Sequence, residues 1–216
     1  MTRLMVYTTS IMIFTVSIAV FTVSAELHQN TLTIDATDRE NWAYINLTEG
    51  ETVDIADAAS SLVWDLGFKR TEVIANGGVS GPGKTGALAL KDISFEDILE
   101  APEGDYVSDT DQIATFRRGD GWYTYTGPPN HRVLPNPQVY VLRIARDSKA
   151  QPASPYNYAK VRFIGYYENN ENKEGSGYIT IEYVLQDDGT RLFVESEPTS
   201  VDPKEKLTTM WAALKS

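Results

Sequence analysis

The residues in this chain that most clearly suggest chemistry lie in a glycine-rich segment. Gly78, Gly83, Lys84 and Thr85 fit the pattern G-x-x-x-x-G-K-[ST] of a phosphate-binding loop. Residues 81–86 also fit the dinucleotide-binding pattern G-x-G-x-x-G. In both kinds of loop, backbone N–H groups surround a phosphate, and a helix that begins directly after the loop points its positive end at the anion. Either match would make the chain a nucleotide-binding protein.

The residues around the loop argue against a phosphate site. Gly86 stands where the helix should begin, and residues 87–90 (Ala-Leu-Ala-Leu) alternate as a strand does. Pro82 removes one N–H group from the loop. We therefore interpret the segment as a glycine-rich loop that needs positive φ angles and close backbone packing, and we expect no nucleotide ligand despite the pattern from Gly78 to Thr85.

The other residues able to do chemistry are few. The chain has two histidines, no cysteine and neither a G-x-S-x-G nor an H-E-x-x-H motif, so we do not expect an enzyme. His131 lies on a loop with four prolines in residues 127–137, close to the aromatic residues Trp122, Tyr123 and Tyr125. Imidazole is a good iron ligand, and aromatic surroundings suit a flat apolar cofactor. The alternative is an ordinary histidine on a surface loop.

The N-terminus and the charge suggest where the protein works. Arg3 is followed by an uncharged run over residues 4–23 and then by Val-Ser-Ala, which is typical of a signal peptide (residues 1–25) cleaved near Ala25. The protein is then periplasmic, exposed at the cell surface or secreted, and it meets the membrane only during export. The alternative is a retained membrane anchor. The formal net charge of −11 makes nucleic acid an improbable partner.

The elements that must position these residues are mostly strands. Short alternating or apolar segments recur along the chain with turn signals between them, which predicts a mainly β fold with antiparallel sheets. We expect one domain over residues 26–216 whose last part, residues 203–216, is a short helix because its apolar residues have helical spacing. Residues 26–30 are polar and are expected to be loose, which would leave His28 outside the fold. The strands are predicted at residues 31–34, 42–47, 62–68, 72–75, 87–90, 122–126, 139–144, 158–167, 178–185 and 192–194.

The order of these segments resembles the HmuY-like haem-binding proteins, which are exported carriers best known from Bacteroidetes. The resemblance covers most of residues 30–187 and depends on order and spacing rather than on one diagnostic motif. Its N-terminal half consists of residues 31–36 (TLTIDA), 42–44 (WAY), 49–51 (EGE), the pair Trp64-Asp65 and the loop from Asn76 to Gly86. Its C-terminal half consists of residues 121–123 (GWY), 139–143, 159–163 (AKVRF) and 178–183 (YITIEY).

The resemblance implies a single HmuY-like β domain. It also implies a non-catalytic carrier that binds haem or a related porphyrin for iron acquisition and passes it to an outer-membrane receptor. In the best-known members a pair of histidines holds the iron, and here the chain departs from the family. Thr126 occupies the position of the second histidine, and residues 107–120 contain none for the first. The resemblance therefore leaves His131 as the candidate ligand of haem iron, with Tyr125 as a phenolate partner. The alternative is a binding module of the same fold that recognises a glycan or a protein on Trp122, Tyr123 and Tyr125.

Overall fold

In the computed structural model, which describes residues 27–117, 119–145 and 156–194, the chain is built almost entirely from strands. The single helical element there is a short 3₁₀ turn at Thr115–Arg117. The strands are β1 (Leu27–Asp35), β2 (Ala43–Asn46), β3 (Glu51–Val53), β4 (Leu66–Lys69), β5 (Glu72–Ala75), β6 (Gly86–Leu90), β7 (Tyr123–Tyr125), β8 (Val133–Pro135), β9 (Val139–Ile144), β10 (Asn157–Asn169) and β11 (Glu174–Gln186).

These strands form two sheets and a separate hairpin. The larger sheet has the order β1-β11-β10-β9-β6, and the smaller one has the order β3-β2-β4-β5. Strands β7 and β8 form the separate two-stranded hairpin. Neighbouring strands run antiparallel throughout both sheets and the hairpin, so the predicted mainly β, antiparallel fold is confirmed.

The larger sheet is buried on both faces, which explains why β9 is almost continuously apolar. Tyr140 and Leu142 belong to a core that also contains residues of the smaller sheet such as Leu66 and Phe68. Val139 and Val141 point to the other face, into a second cluster with residues of the segments 95–101 and 193. Each such side chain contributes roughly 1.5–3 kcal/mol when fully buried, so the core can stabilise a chain that has no cysteine.

The N-terminal part of the described chain differs from the expectation. Residues 27–30 are not loose, because β1 begins at Leu27 and pairs with β11 along its whole length. His28 Nε2 forms a hydrogen bond of 3.0 Å with the Asp187 carboxylate, which joins the start of β1 to the residue after β11. The strand was predicted only over residues 31–34, because the partners that stabilise its first residues are distant in sequence.

Two predicted segments lie outside the described residues: the signal peptide at residues 1–25 and the C-terminal helix at residues 203–216. Within the described ranges, the structure contains no helix of the length and apolar character that a membrane crossing requires.

Candidate functional site

The glycine-rich loop is organised by the buried side chain of Asn76. Its Nδ2 group donates to the carbonyl oxygens of Ser61 at 3.1 Å and Trp64 at 2.8 Å. Its Oδ1 atom accepts a hydrogen bond from the Gly83 N–H at 3.0 Å. One amide thus joins both sides of the loop to the segment before β4.

A second buried polar residue, Asp109, holds the other side of the loop. Its carboxylate accepts hydrogen bonds from the N–H groups of Ala75 at 2.9 Å and Thr115 at 2.6 Å. Its carbonyl oxygen accepts from the N–H of Val79 at 3.2 Å. Gly78, at φ +64°, packs so closely here that a Cβ atom would lie 1.9 Å from that carbonyl oxygen. The loop therefore requires glycine for close backbone packing.

The element after the loop is the predicted strand. Strand β6 begins at Gly86 and pairs with β9 from its first residue. A helix N-terminus, which a phosphate loop needs to stabilise its anion, is therefore not formed at this position. The glycine pattern reflects close packing of the loop against Asp109.

The β7–β8 hairpin brings together the two predicted site residues, Tyr125 and His131. The hairpin closes through hydrogen bonds from the Thr126 N–H to the Arg132 carbonyl oxygen, 2.9 Å, and from the His131 N–H to the Gly127 carbonyl oxygen, 2.8 Å. This turn places His131 at φ +49° and directs its ring at Tyr125. The Tyr125 hydroxyl and His131 Nδ1 form a hydrogen bond, with ring centroids 5.9 Å apart. Both side chains are exposed.

This contact changes the ligand arrangement that the sequence suggested. Two axial ligands of one haem iron must lie on opposite faces of the porphyrin, with the iron between their donor atoms. The Tyr125 oxygen and His131 Nδ1 are in direct contact, so no iron fits between them. The pair can therefore act only from one side of a porphyrin, with one residue as the ligand and the other as its hydrogen-bond partner.

The surface beside this pair is aromatic and carries a positive charge. Tyr123 lies two residues before Tyr125 on the same face of β7. The Arg117 guanidinium lies 5.6 Å from the centroid of the Tyr123 ring. Arg117 also lines a groove of about 340 Å³ together with Trp42, Glu72, Val73, Ile74, Gln112, Ile113 and Ala114. An apolar ligand with a carboxylate would find complementary groups on this surface.

Trp122 is not part of that surface. Its side chain is 1% exposed, stacks on Phe163 at 4.8 Å between ring centroids, and donates its indole N–H to the Thr71 carbonyl oxygen at 3.1 Å. The suggestion that Trp122 serves as a binding platform was wrong, because the large sheet buries it. The platform on this strand is reduced to Tyr123 and Tyr125.

Thr126, at the position where the family has a histidine, is engaged in closing the hairpin. Its hydroxyl oxygen accepts a hydrogen bond from the Arg132 N–H at 2.9 Å. In the described ranges, no group of three or more histidine, cysteine, aspartate or glutamate side chains could hold a free metal ion.

Comparison with known proteins first defines the class: the chain shares its antiparallel β fold with a solved HmuY analog. The chain matches the family described as HmuY protein over residues 38–183 and belongs to that family. The structure of the apo HmuY analog from Tannerella forsythia has 19% identity and a TM-score of 0.54, with 77% of this chain and 100% of that chain covered. An HmuY-like heme-binding protein from Bacteroides vulgatus has 20% identity and a TM-score of 0.49, with 72% of this chain and 91% of that chain covered. A search of curated proteins gave no match.

The family assignment and the fold predicted from the sequence are thus confirmed. The sequence reasoning missed the hydrogen bond between Tyr125 and His131. A signal for it was present: the two residues flank the segment Thr126-Gly127-Pro128-Pro129-Asn130, and a closed hairpin turn of that length brings its ends together.

Proposed function

We propose that this protein is an exported, non-catalytic carrier that binds haem on the face of the β7–β8 hairpin. Membership of the HmuY family supports this at the level of the class. The single observation that carries the proposal for this chain is the hydrogen bond between Tyr125 and His131 on an exposed hairpin.

In this proposal Tyr125 would supply the oxygen ligand to haem iron, and His131 would orient that oxygen through the hydrogen bond between them. A phenolate oxygen is a known haem ligand, and as a hard anionic donor it favours the ferric ion. When His131 carries its proton on Nδ1, this N–H donates to the Tyr125 oxygen and orients it, and the oxygen keeps lone pairs that can bind iron. The reverse assignment, with Tyr125 donating to Nδ1, puts the ring proton on Nε2, and such an imidazole has no free nitrogen for iron. Ligation by His131 is excluded in the second tautomer, whereas in the first its Nε2 atom keeps a free lone pair, so the variants below distinguish Tyr125 from His131 as the ligand.

The neighbouring residues provide for the rest of the porphyrin. Tyr123 offers an aromatic face on the same side of β7, and the groove beside Arg117 offers the apolar side chains of Trp42, Ile74 and Ile113. The Arg117 guanidinium is suited to a propionate carboxylate of haem. A porphyrin that lacks carboxylates should consequently bind more weakly.

Export and delivery complete the proposed role. Cleavage of the predicted signal peptide near Ala25 would place the protein in the periplasm, at the cell surface or outside the cell, where an outer-membrane receptor would take the haem. N-terminal sequencing of the protein recovered from a secreting host tests the first part: a start at Glu26 supports it, and a retained N-terminus in the membrane fraction contradicts it.

Titration of the purified protein with ferric haem tests the ligand assignment. We expect a sharpened Soret band for the wild type. Tyr125→Phe should lower the affinity at least tenfold, which is about 1.4 kcal/mol, because it removes the oxygen ligand. His131→Ala should lower the affinity less and change the spectrum, because it removes only the hydrogen bond to that oxygen.

Tyr123→Phe is the matched control, because it removes one phenol hydroxyl from the same face of the same strand. It should retain the wild-type spectrum. A wild-type protein that leaves the spectrum of free haem unchanged would refute the carrier function. Wild-type binding by both Tyr125→Phe and His131→Ala would place the ligand elsewhere.

A further inference from the structure

An apolar groove lies on the opposite side of the larger sheet from the main core, beside the segment that covers the second cluster. It has a volume of about 480 Å³ and is lined by Leu90, Lys91, Ile93, Asp97, Ile98, Leu99, Glu100 and Pro102. Leu99 is 57% exposed and Ile93 is 38% exposed. A contiguous patch of exposed, large apolar side chains indicates an interaction surface.

The C-terminal end of the described chain runs along this groove. The Phe193 N–H donates to the Leu99 carbonyl oxygen at 2.8 Å, and Leu192 pairs with Glu100 in an antiparallel bridge. Leu192 and Val194 are themselves 45% and 40% exposed. The remaining residues, 195–216, therefore leave the described fold next to its exposed apolar groove.

Those remaining residues contain an apolar stripe that fits a groove. Leu207, Met210, Trp211 and Leu214 recur at intervals of three and four, which would align them on one face of a helix. About twelve residues separate Val194 from Leu207, and an extended chain covers up to about 3.3–3.6 Å per residue, so the stripe can reach the groove.

The charges of the two partners are complementary. Residues 203–216 carry three lysines and one glutamate. At the groove, Lys91 pairs with Asp120 at 2.8 Å, and Glu100 lies 3.9 Å from the Arg191 Nε atom. With Asp97 included, the acidic groups of the rim outnumber the basic ones.

We propose that residues 203–216 bind intramolecularly in the groove between Ile93 and Leu99, as an amphipathic helix whose apolar face carries Trp211. The tail thereby covers the apolar patch that the β domain leaves accessible. This inference is independent of haem binding, because the groove shares no lining residue with the surface beside Tyr125.

Limited trypsin digestion of the native protein tests the proposal, since it cuts after Lys206 only when the tail is released. We expect the wild-type tail to be cleaved at least tenfold more slowly than a synthetic peptide of residues 195–216. Leu99→Asp should raise the rate at least tenfold, and Val63→Asp, at an apolar position that is 52% exposed and does not line the groove, should not. The unfolding midpoint of each variant shows that the β domain remains folded.

Three outcomes would overturn the inference. The first is cleavage of the wild-type tail at the rate of the free peptide. The second is a Leu99→Asp tail that is cleaved no faster than that of Val63→Asp. The third is protection that disappears on dilution while the protein sediments as a dimer, which would assign the groove to the tail of a second copy.

Discussion

The glycine-rich loop allows a quantitative test of its role, by comparing Gly78→Ala with Gly127→Ala. Both glycines have nearly the same left-handed conformation, with φ +64° and +67°. A non-glycine residue in this conformation costs roughly 1–2 kcal/mol, partly offset by about 0.4–1 kcal/mol from the lower entropy of the unfolded chain. Both variants therefore share a net cost of about 1 kcal/mol.

The two positions differ in what the added Cβ meets. At Gly127 no atom lies within 4 Å, whereas at Gly78 the Asp109 carbonyl oxygen lies 1.9 Å away. Relieving that clash requires the Asp109 backbone to move by about an ångström, which breaks its hydrogen bond from Val79 and displaces the carboxylate from Ala75 and Thr115. The neutral bond contributes about 0.5–1.5 kcal/mol and each bond to the carboxylate about 1.5–3, so the loss of the neutral bond and of one carboxylate bond brings the cost of Gly78→Ala to about 3–5 kcal/mol.

Urea unfolding followed by tryptophan fluorescence measures this difference. We expect Gly127→Ala to lower the free energy of unfolding by about 1 kcal/mol and Gly78→Ala to lower it by at least 2 kcal/mol more, with unchanged m-values. If the two variants agree within about 0.5 kcal/mol, the loop does not depend on close packing at Gly78, and the structural interpretation of the glycine pattern fails.

Two further predictions concern buried polar groups. Asp109→Asn should lower the free energy of unfolding by about 1–3 kcal/mol, because the amide NH₂ group cannot accept a hydrogen bond from the second backbone N–H. Asp111→Asn, on the exposed part of the same loop, should change it by less than about 0.5 kcal/mol. Equal effects of the two variants in urea unfolding would contradict the role assigned to Asp109. Burial lowers the pKa of Lys160, whose ammonium donates to the carbonyl oxygens of Phe95 and Ile98, and Arg162 contributes to the same direction. The folded protein thus releases this proton at lower pH than the unfolded chain, so the stability of the wild type relative to Lys160→Met should rise as the pH approaches the ordinary lysine value of 10.5. A difference curve from pH-dependent urea unfolding that is flat or falls would contradict the burial of this charge.

The fold was predictable because its strands carry strong local signals. The segment that became β9 is apolar at nearly every position, and the alternation of β10 and β11 is clear in the sequence. Strand β1 was only partly predicted, since Leu27–Asn30 is polar and its stability comes from pairing with β11 more than 150 residues away. Patterns within a short window do not contain such partners.

The candidate site was predictable in composition but not in geometry. Tyr125 and His131 could be selected from the sequence as candidate iron ligands, whereas the hydrogen bond between them depends on the backbone conformation of the hairpin. Trp122 shows the opposite case. The sequence pattern suggested that Trp122 is accessible for binding, but its ring is buried by packing against Phe163 of β10.

Substitutions of the buried scaffold residues cost more folding free energy than substitutions in the candidate site. The sequence therefore indicates the fold more clearly than it indicates the ligand. Asn76 and Asp109 are 1% and 3% exposed and each bonds several backbone groups, so their replacement costs stability. Tyr125 is 54% exposed on a hairpin end, where a substitution changes the free energy of unfolding by about 0.5 kcal/mol or less. A residue at such an exposed position can therefore be exchanged at little cost to the fold. For the same reason, a loss of haem binding in Tyr125→Phe can be assigned to the ligand itself, since the variant should unfold at the wild-type midpoint.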